Sequence, residues 1–161
     1  MLSNRSHFDW KECNMARLFA LVTVILLFTS SALASEPPVY TGLLSNTAVG
    51  GYDTVSYFEA EGPAEGSTRH TIEYKGATWR FANAENLALF KEDPVRYAPA
   101  YGGYCAWAIS QGTLTKGDPK HWSVRDGRLY LNYSKSVHDQ WLEDPDGFIR
   151  LANEKWPKIL E

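Results

Sequence analysis

Few residues in this chain can do chemistry, and they are scattered. Cys105 lies in the stretch Tyr97 to Gly112, YAPAYGGYCAWAISQG, among four aromatic side chains and directly after the step Gly102-Gly103-Tyr104. The Gly-Gly step permits close backbone approach or positive φ, and Cys105 falls near the start of a predicted helix. Unpaired N–H groups there favour a thiolate. Three uses are open to such a thiol. It can ligate a soft metal ion such as copper(I), with a histidine, a water or Cys105 of a second chain as the other donor. It can act as a nucleophile. It can also be a small buried hydrophobe, with Ile109 one helical turn away on the same face.

The other donors are His70, His121 and His138. None has a His at i+4 or Cys-x-x-Cys spacing, so no zinc motif is present. His70 projects from the core face of a predicted hairpin and is the better second donor, which makes Cys105 and His70 the candidate metal pair. Cys105, His70 or His121, and Asp53 or Asp118 supply the residue types of a nucleophilic site. The chain nevertheless contains no G-x-S-x-G, H-E-x-x-H or phosphate loop. A binding or accessory role is favoured over an enzyme. Tyr101, Tyr104 and Trp107, with Tyr97 and Tyr130, are candidates to line a pocket for a small apolar ligand or a partner protein, since tyrosine offers an apolar body and a polar tip.

These residues sit behind a leader-like segment. Arg17 precedes an uncharged apolar run, Leu18 to Phe28, and Ala32-Leu33-Ala34 forms an A-x-A site. The pattern predicts a signal peptide over 1–34 cleaved after Ala34, with Met15 as an alternative start, and an exported protein, periplasmic or extracellular, with no membrane span after cleavage. Removing 1–34 takes away three of 16 basic and two of 19 acidic side chains, leaving 13 and 17 and a net charge of −4. That balance argues against nucleic acid as a partner. Cys13 leaves with the leader, so Cys105 is the sole remaining thiol. No disulfide can form within that chain, and both methionines, Met1 and Met15, are lost too. Stability must then come from packing, for which 18 aromatic side chains remain.

No repeat is visible in the sequence. Residues 35–49 read as a Pro-containing lead-in, and 50–161 as one domain. Asp53 caps a short helix carrying Val55 and Phe58. Apolar alternation on both sides of Lys75-Gly76 predicts a hairpin pairing Tyr74 with Ala77, Ile72 with Trp79 and His70 with Phe81. Asp126-Gly127 predicts a second hairpin, pairing Val124 with Leu129 and Trp122 with Leu131 on an apolar face, and Ser123 with Tyr130 and His121 with Asn132 on a polar one. Asn83 and Ser134 are predicted helix caps, Asp93-Pro94 and Asp144-Pro145 start further helices, and Tyr101 to Gln111 reads as helical. The fold class is α+β, a small single domain of two β-hairpins packed with several short α-helices.

The motifs GYDTVSYF, WRFANAENLALFKEDPVRYAPAYGGYCAWA, GDPKHWSV and DGRLYLNYSKSV resemble the exported branch of the YHS domain family, over about Gly50 to Trp156. The resemblance implies a link to heavy-metal-associated domains. Metal-linked members of the wider family carry thiols in a D-P-V-C stretch and an F-C-S-x-x-C turn. Mapped onto this chain those three places hold Ser56, Ala82 and Asn86, which supply no thiolate. The resemblance therefore implies a related domain without the family's usual ligand set.

Overall fold

Two hairpins, each turned by a dipeptide with positive φ, organise the computed structural model, which describes residues 35–59 and 62–161. The expected signal peptide and its cleavage site at Ala34 lie outside the described residues. Among the described residues, five α-helices and three two-stranded antiparallel sheets make up an α+β domain. Strands β1 (Tyr52–Asp53) and β2 (Ala64–Glu65) form a short ladder. β3 (Ser67–Tyr74) pairs with β4 (Ala77–Phe81), and β5 (Asp118–Arg125) with β6 (Arg128–Asn132). The helices are α1 (Ala84–Glu92), α2 (Pro94–Tyr97), α3 (Ala106–Ser110), α4 (Lys135–Glu143) and α5 (Pro145–Lys155). Among the described residues no helix is long and apolar enough to cross a membrane.

The turns work as their sequences require. Lys75 and Gly76 have φ of 50° and 77°, Asp126 and Gly127 of 48° and 71°. Both central residues are left-handed, the twist that matches two adjoining strands. The caps also form. Asn86 N–H donates to Asn83 Oδ1, Val137 N–H to Ser134 Oγ, Arg96 N–H to Asp93 Oδ1 and Gly147 N–H to Asp144 Oδ1. The third helix is shorter than Tyr101 to Gln111. It begins at Ala106 with Cys105 as its N-cap, because Gly102 and Gly103 take φ of 62° and 90° and break the preceding turn.

Near each turn the predicted pairings hold: Tyr74 with Ala77, Ile72 with Trp79, Val124 with Leu129, Ser123 with Tyr130 and Trp122 with Leu131. At the open ends they do not. Phe81 pairs with Ser67 rather than His70, and Asn132 with Asp118 rather than His121. In each case three extra residues, 68–70 and 119–121, bulge out of the longer strand. A bulge leaves its residues outside the ladder and bends the strand, so strict alternation cannot place His70 or His121.

The matching bulges belong to a larger correspondence that no sequence repeat announces. Gly50-Gly51-Tyr52-Asp53 and Gly102-Gly103-Tyr104-Cys105 lie 52 residues apart, and their glycines share φ values, 61° and 88° against 62° and 90°. Gly66 N–H donates to Gly51 O, and Gly117 N–H to Gly103 O. From there the spacing is 51: β3 to β5, Lys75-Gly76 to Asp126-Gly127, Asn83 to Ser134, Phe90 to Trp141 and Asp93-Pro94 to Asp144-Pro145. Residues 50–97 and 102–148 are two halves with one plan. Few side chains are shared because the plan needs only the glycines, turn residues, caps and one large apolar residue per helix.

Strand β6 separates two cores. Leu129 and Leu131 face the first, with Val55, Trp79, Phe81 and Phe90. Tyr130 faces the second, with Tyr101, Tyr104, Ile109 and Trp141. The face of the second hairpin expected to be polar is therefore covered, since α4 brings Trp141 within 5.6 Å of the Tyr130 ring. Val124, expected inside, is 37% exposed near the hairpin tip, beyond the reach of either core.

Candidate functional site

Asp53 and Cys105 hold equivalent places in the two halves, and both are fully buried. Asp53 is the hub of the first half. Its Oδ1 accepts Val55 N–H at 2.9 Å, and its Oδ2 accepts Ala82 N–H at 2.8 Å and the Asn86 amide at 2.7 Å. Its backbone carbonyl accepts the Ser56 hydroxyl at 2.7 Å. Ser56, Ala82 and Asn86, the three places where the resemblance expects thiols, thus gather around one residue, Ala82 and Asn86 on its carboxylate and Ser56 on its backbone carbonyl.

In the second half the sulfur takes the carboxylate's place. Ala108 N–H donates to Cys105 Sγ at 3.4 Å, and the N–H groups of Tyr133 and Trp107, counterparts of Ala82 and Val55, also face it. The thiol donates toward Asn132 Oδ1 at 3.7 Å, an oxygen that also accepts Trp107 N–H at 3.3 Å. That second bond assigns the amide orientation, because an N–H needs an acceptor opposite it. Burial pushes the Cys105 thiol above its ordinary pKa, and the three N–H groups pull it only partly back. A buried thiol with a raised pKa is a poor nucleophile and a poor ligand.

His70 sits half-buried in the bulge of β3, a strand that packs on β4 and α1, whereas Cys105 is bridged to Leu131 of β6. The two candidate metal donors lie in different halves, His70 in a hairpin strand of the first and Cys105 at the start of a helix in the second. Among the described residues no group of three or more His, Cys, Asp or Glu side chains could hold a metal ion. Tyr101 and Tyr104 are buried in the second core. Their hydroxyls donate to Asn153 Oδ1 and Pro37 O, each at 2.9 Å. Burial raises both phenols, Tyr104 to about 12, so both remain donors at neutral pH. Trp107 packs half-buried against the same core.

His138, the donor on the helix α4, is half-buried. Its Nε2 lies 2.8 Å from Ser123 Oγ, and its ring stacks on Trp141. Burial holds it below the ordinary 6.5; His121 and Lys135 add to the drop, and Asp139 opposes it. Because the folded value is the lower one, the unfolded chain takes the proton first. The contribution to stability is complete above about pH 6.5 and is lost as pH falls from there through the folded value. His138→Gln should therefore lose less melting temperature than the wild type between about pH 7.5 and about pH 5. Equal losses would assign the acid sensitivity elsewhere.

A cleft lined by none of these candidate residues lies elsewhere in the fold. It has a volume of about 420 Å³ and opens where the lead-in, the tip of the first hairpin, the segment 95–102, the start of β6 and the C-terminal turn meet. Val39, Trp79, Ala98, Pro99, Trp156 and Leu160 give it apolar walls. Beside it the lead-in is tied to the C-terminal turn and to the Gly-Gly step, as Glu36 N–H donates to Leu160 O and Tyr40 N–H to Gly102 O. Gly102 is required there, since a Cβ would fall 1.9 Å from Pro38 O. Tyr101, Tyr104 and Trp107 do not line the cleft. Reading the sequence alone could not find it, because its walls come from five separated segments and follow no motif. Comparison of the chain with family models, with curated proteins and with solved structures finds no match.

Proposed function

We propose that this chain is an exported, YHS-like accessory protein that binds a small apolar-bodied ligand in the cleft between its two hairpins, with Cys105 a structural thiol. One observation carries the reading: a cleft of about 420 Å³ whose walls include two tryptophans. Its size falls within the roughly 300–1,000 Å³ of ordinary small-molecule sites, which are mostly apolar with a few polar groups. The gathering of Ser56, Ala82 and Asn86 around Asp53 supports the mapping onto the YHS family. It also supports a member that has replaced metal ligation by hydrogen bonds. Catalysis is disfavoured because Cys105 is enclosed and, among the described residues, no histidine, serine, cysteine or carboxylate lines the cleft.

Calorimetric titration with 2-naphthamide, a neutral flat probe, tests the reading. Binding to the wild type should be lost in Ala100→Phe and Val95→Trp, each of which places a ring in the cleft, while circular dichroism melts show both variants folded. Unchanged binding in both folded variants would overturn it.

A further inference from the structure

We propose that the cleft is selective for an organic carboxylate, its flat apolar body against Trp156 and its anionic head held by Arg128 and Lys75. The inference rests on the cleft reading above and adds the chemistry of the ligand. Arg128 and Lys75 both line the cleft, and among the described residues no Asp or Glu does, in a chain whose residues 35–161 carry a net charge of −4. Of the 13 Lys and Arg side chains in residues 35–161, three pair with a carboxylate, Arg125 with Asp146, Lys135 with Asp139 and Arg150 with Glu154; what sets Arg128 and Lys75 apart is their place in the cleft. Arg128 and Lys75 have no carboxylate partner among the described residues. Arg128 Nε is shut off from solvent and has no hydrogen-bond acceptor among them. Lys75 Nζ rests over the Tyr74 ring, 5.3 Å from its centroid.

A buried donor left unpaired is costly, so such groups in folded proteins usually meet a water or a ligand. The planar guanidinium fork matches a carboxylate and can grip both oxygens, and an ammonium adds a mobile point charge. The shared plan of the two halves adds an independent argument. The counterparts of Arg128 and Lys75 are Ala77 and Asp126. Neither cation is therefore demanded by the frame, whose glycines, turns and caps recur in both halves. The pair occurs only where the chain also forms this cleft.

The test is calorimetric titration of the full chain with 2-naphthoate and 2-naphthamide, which share a ring system and differ in charge. Wild type should bind the carboxylate at least about tenfold more tightly, as expected when charge-assisted hydrogen bonds are gained. Arg128→Gln should abolish that preference and leave 2-naphthamide binding intact, and Arg128→Lys should keep part of it. Should Arg128→Gln fail to fold, Lys75→Gln, at an exposed turn, carries the test, with a reduced preference expected. Equal affinity of the wild type for both probes, or a preference untouched in Arg128→Gln and Lys75→Gln, would overturn the proposal while leaving the apolar cleft in place. Failure of the wild type to bind either probe would remove the cleft reading and this inference with it.

Discussion

Asp53→Ala should lower the melting temperature by roughly 10–20 °C, through the loss of about 3–5 kcal/mol of stability. The substitution takes away one side chain and strands three donors. Val55 N–H, Ala82 N–H and the Asn86 amide all end on its carboxylate. Asp53 and Asn86 are both buried, so water cannot replace the acceptor without opening the first half. Asn86→Leu should cost less, because it removes one donor and leaves the carboxylate its two backbone partners. The double variant Asp53→Ala/Asn86→Leu should be more stable than the sum of the two single changes, since the amide no longer lacks an acceptor. Thermal denaturation of the four proteins reads the coupling. A change of only a few degrees in Asp53→Ala would mean that the carboxylate is not the hub the geometry describes.

Cys105 should be protected from N-ethylmaleimide in the folded protein by a factor of about 10³ or more, relative to the same residue in denaturant. Two effects multiply. The sulfur is fully buried, so the reagent must wait for an opening of the second half. Burial also holds the thiol protonated, and only the thiolate attacks. Peptide mapping against time resolves Cys105 from Cys13. Rapid labelling of Cys105 under native conditions would return the soft-metal and nucleophile readings to first place. Slow labelling, with equally weak copper(I) binding by the wild type and Cys105→Ser, is the outcome expected of a thiol that fills the place Asp53 fills in the first half.

The local decisions were legible in the sequence because each depends on a few adjacent residues. Lys75-Gly76 and Asp126-Gly127 set the turns, and the pairings next to them follow from the two-residue period of a strand. Asn83, Asp93, Ser134 and Asp144 start helices because their side chains accept from N–H groups three residues on, whatever lies around them. These signals suffice for an α+β domain with two hairpins. They do not reach the open ends of the hairpins, where bulges of three residues displace His70 and His121. The bulges lie where the chain passes close to itself: a Cβ on Gly66 would come 2.6 Å from Arg80, and one on Gly117 2.6 Å from Leu131.

What the sequence determined by itself, then, was the two hairpin turns, four helix caps and the scarcity of reactive groups, including the absence of thiols at positions 56, 82 and 86; it did not show the β1–β2 ladder that holds Asp53. Tertiary structure alone decided what those groups do. Cys105 could be ligand, nucleophile or packing until Asn132 and the N–H groups of Ala108, Trp107 and Tyr133 were seen around it. The equivalence of the two halves stayed hidden because backbone geometry, shared by Gly51 and Gly103 and by Lys75 and Asp126, constrains only a minority of side chains. The cleft was the least legible feature. Its walls are distant in sequence, and only the fold placed Lys75 and Arg128 in one cleft, with no acid beside them among the described residues. Burial and charge pairing are properties of the assembled volume, which no local pattern records.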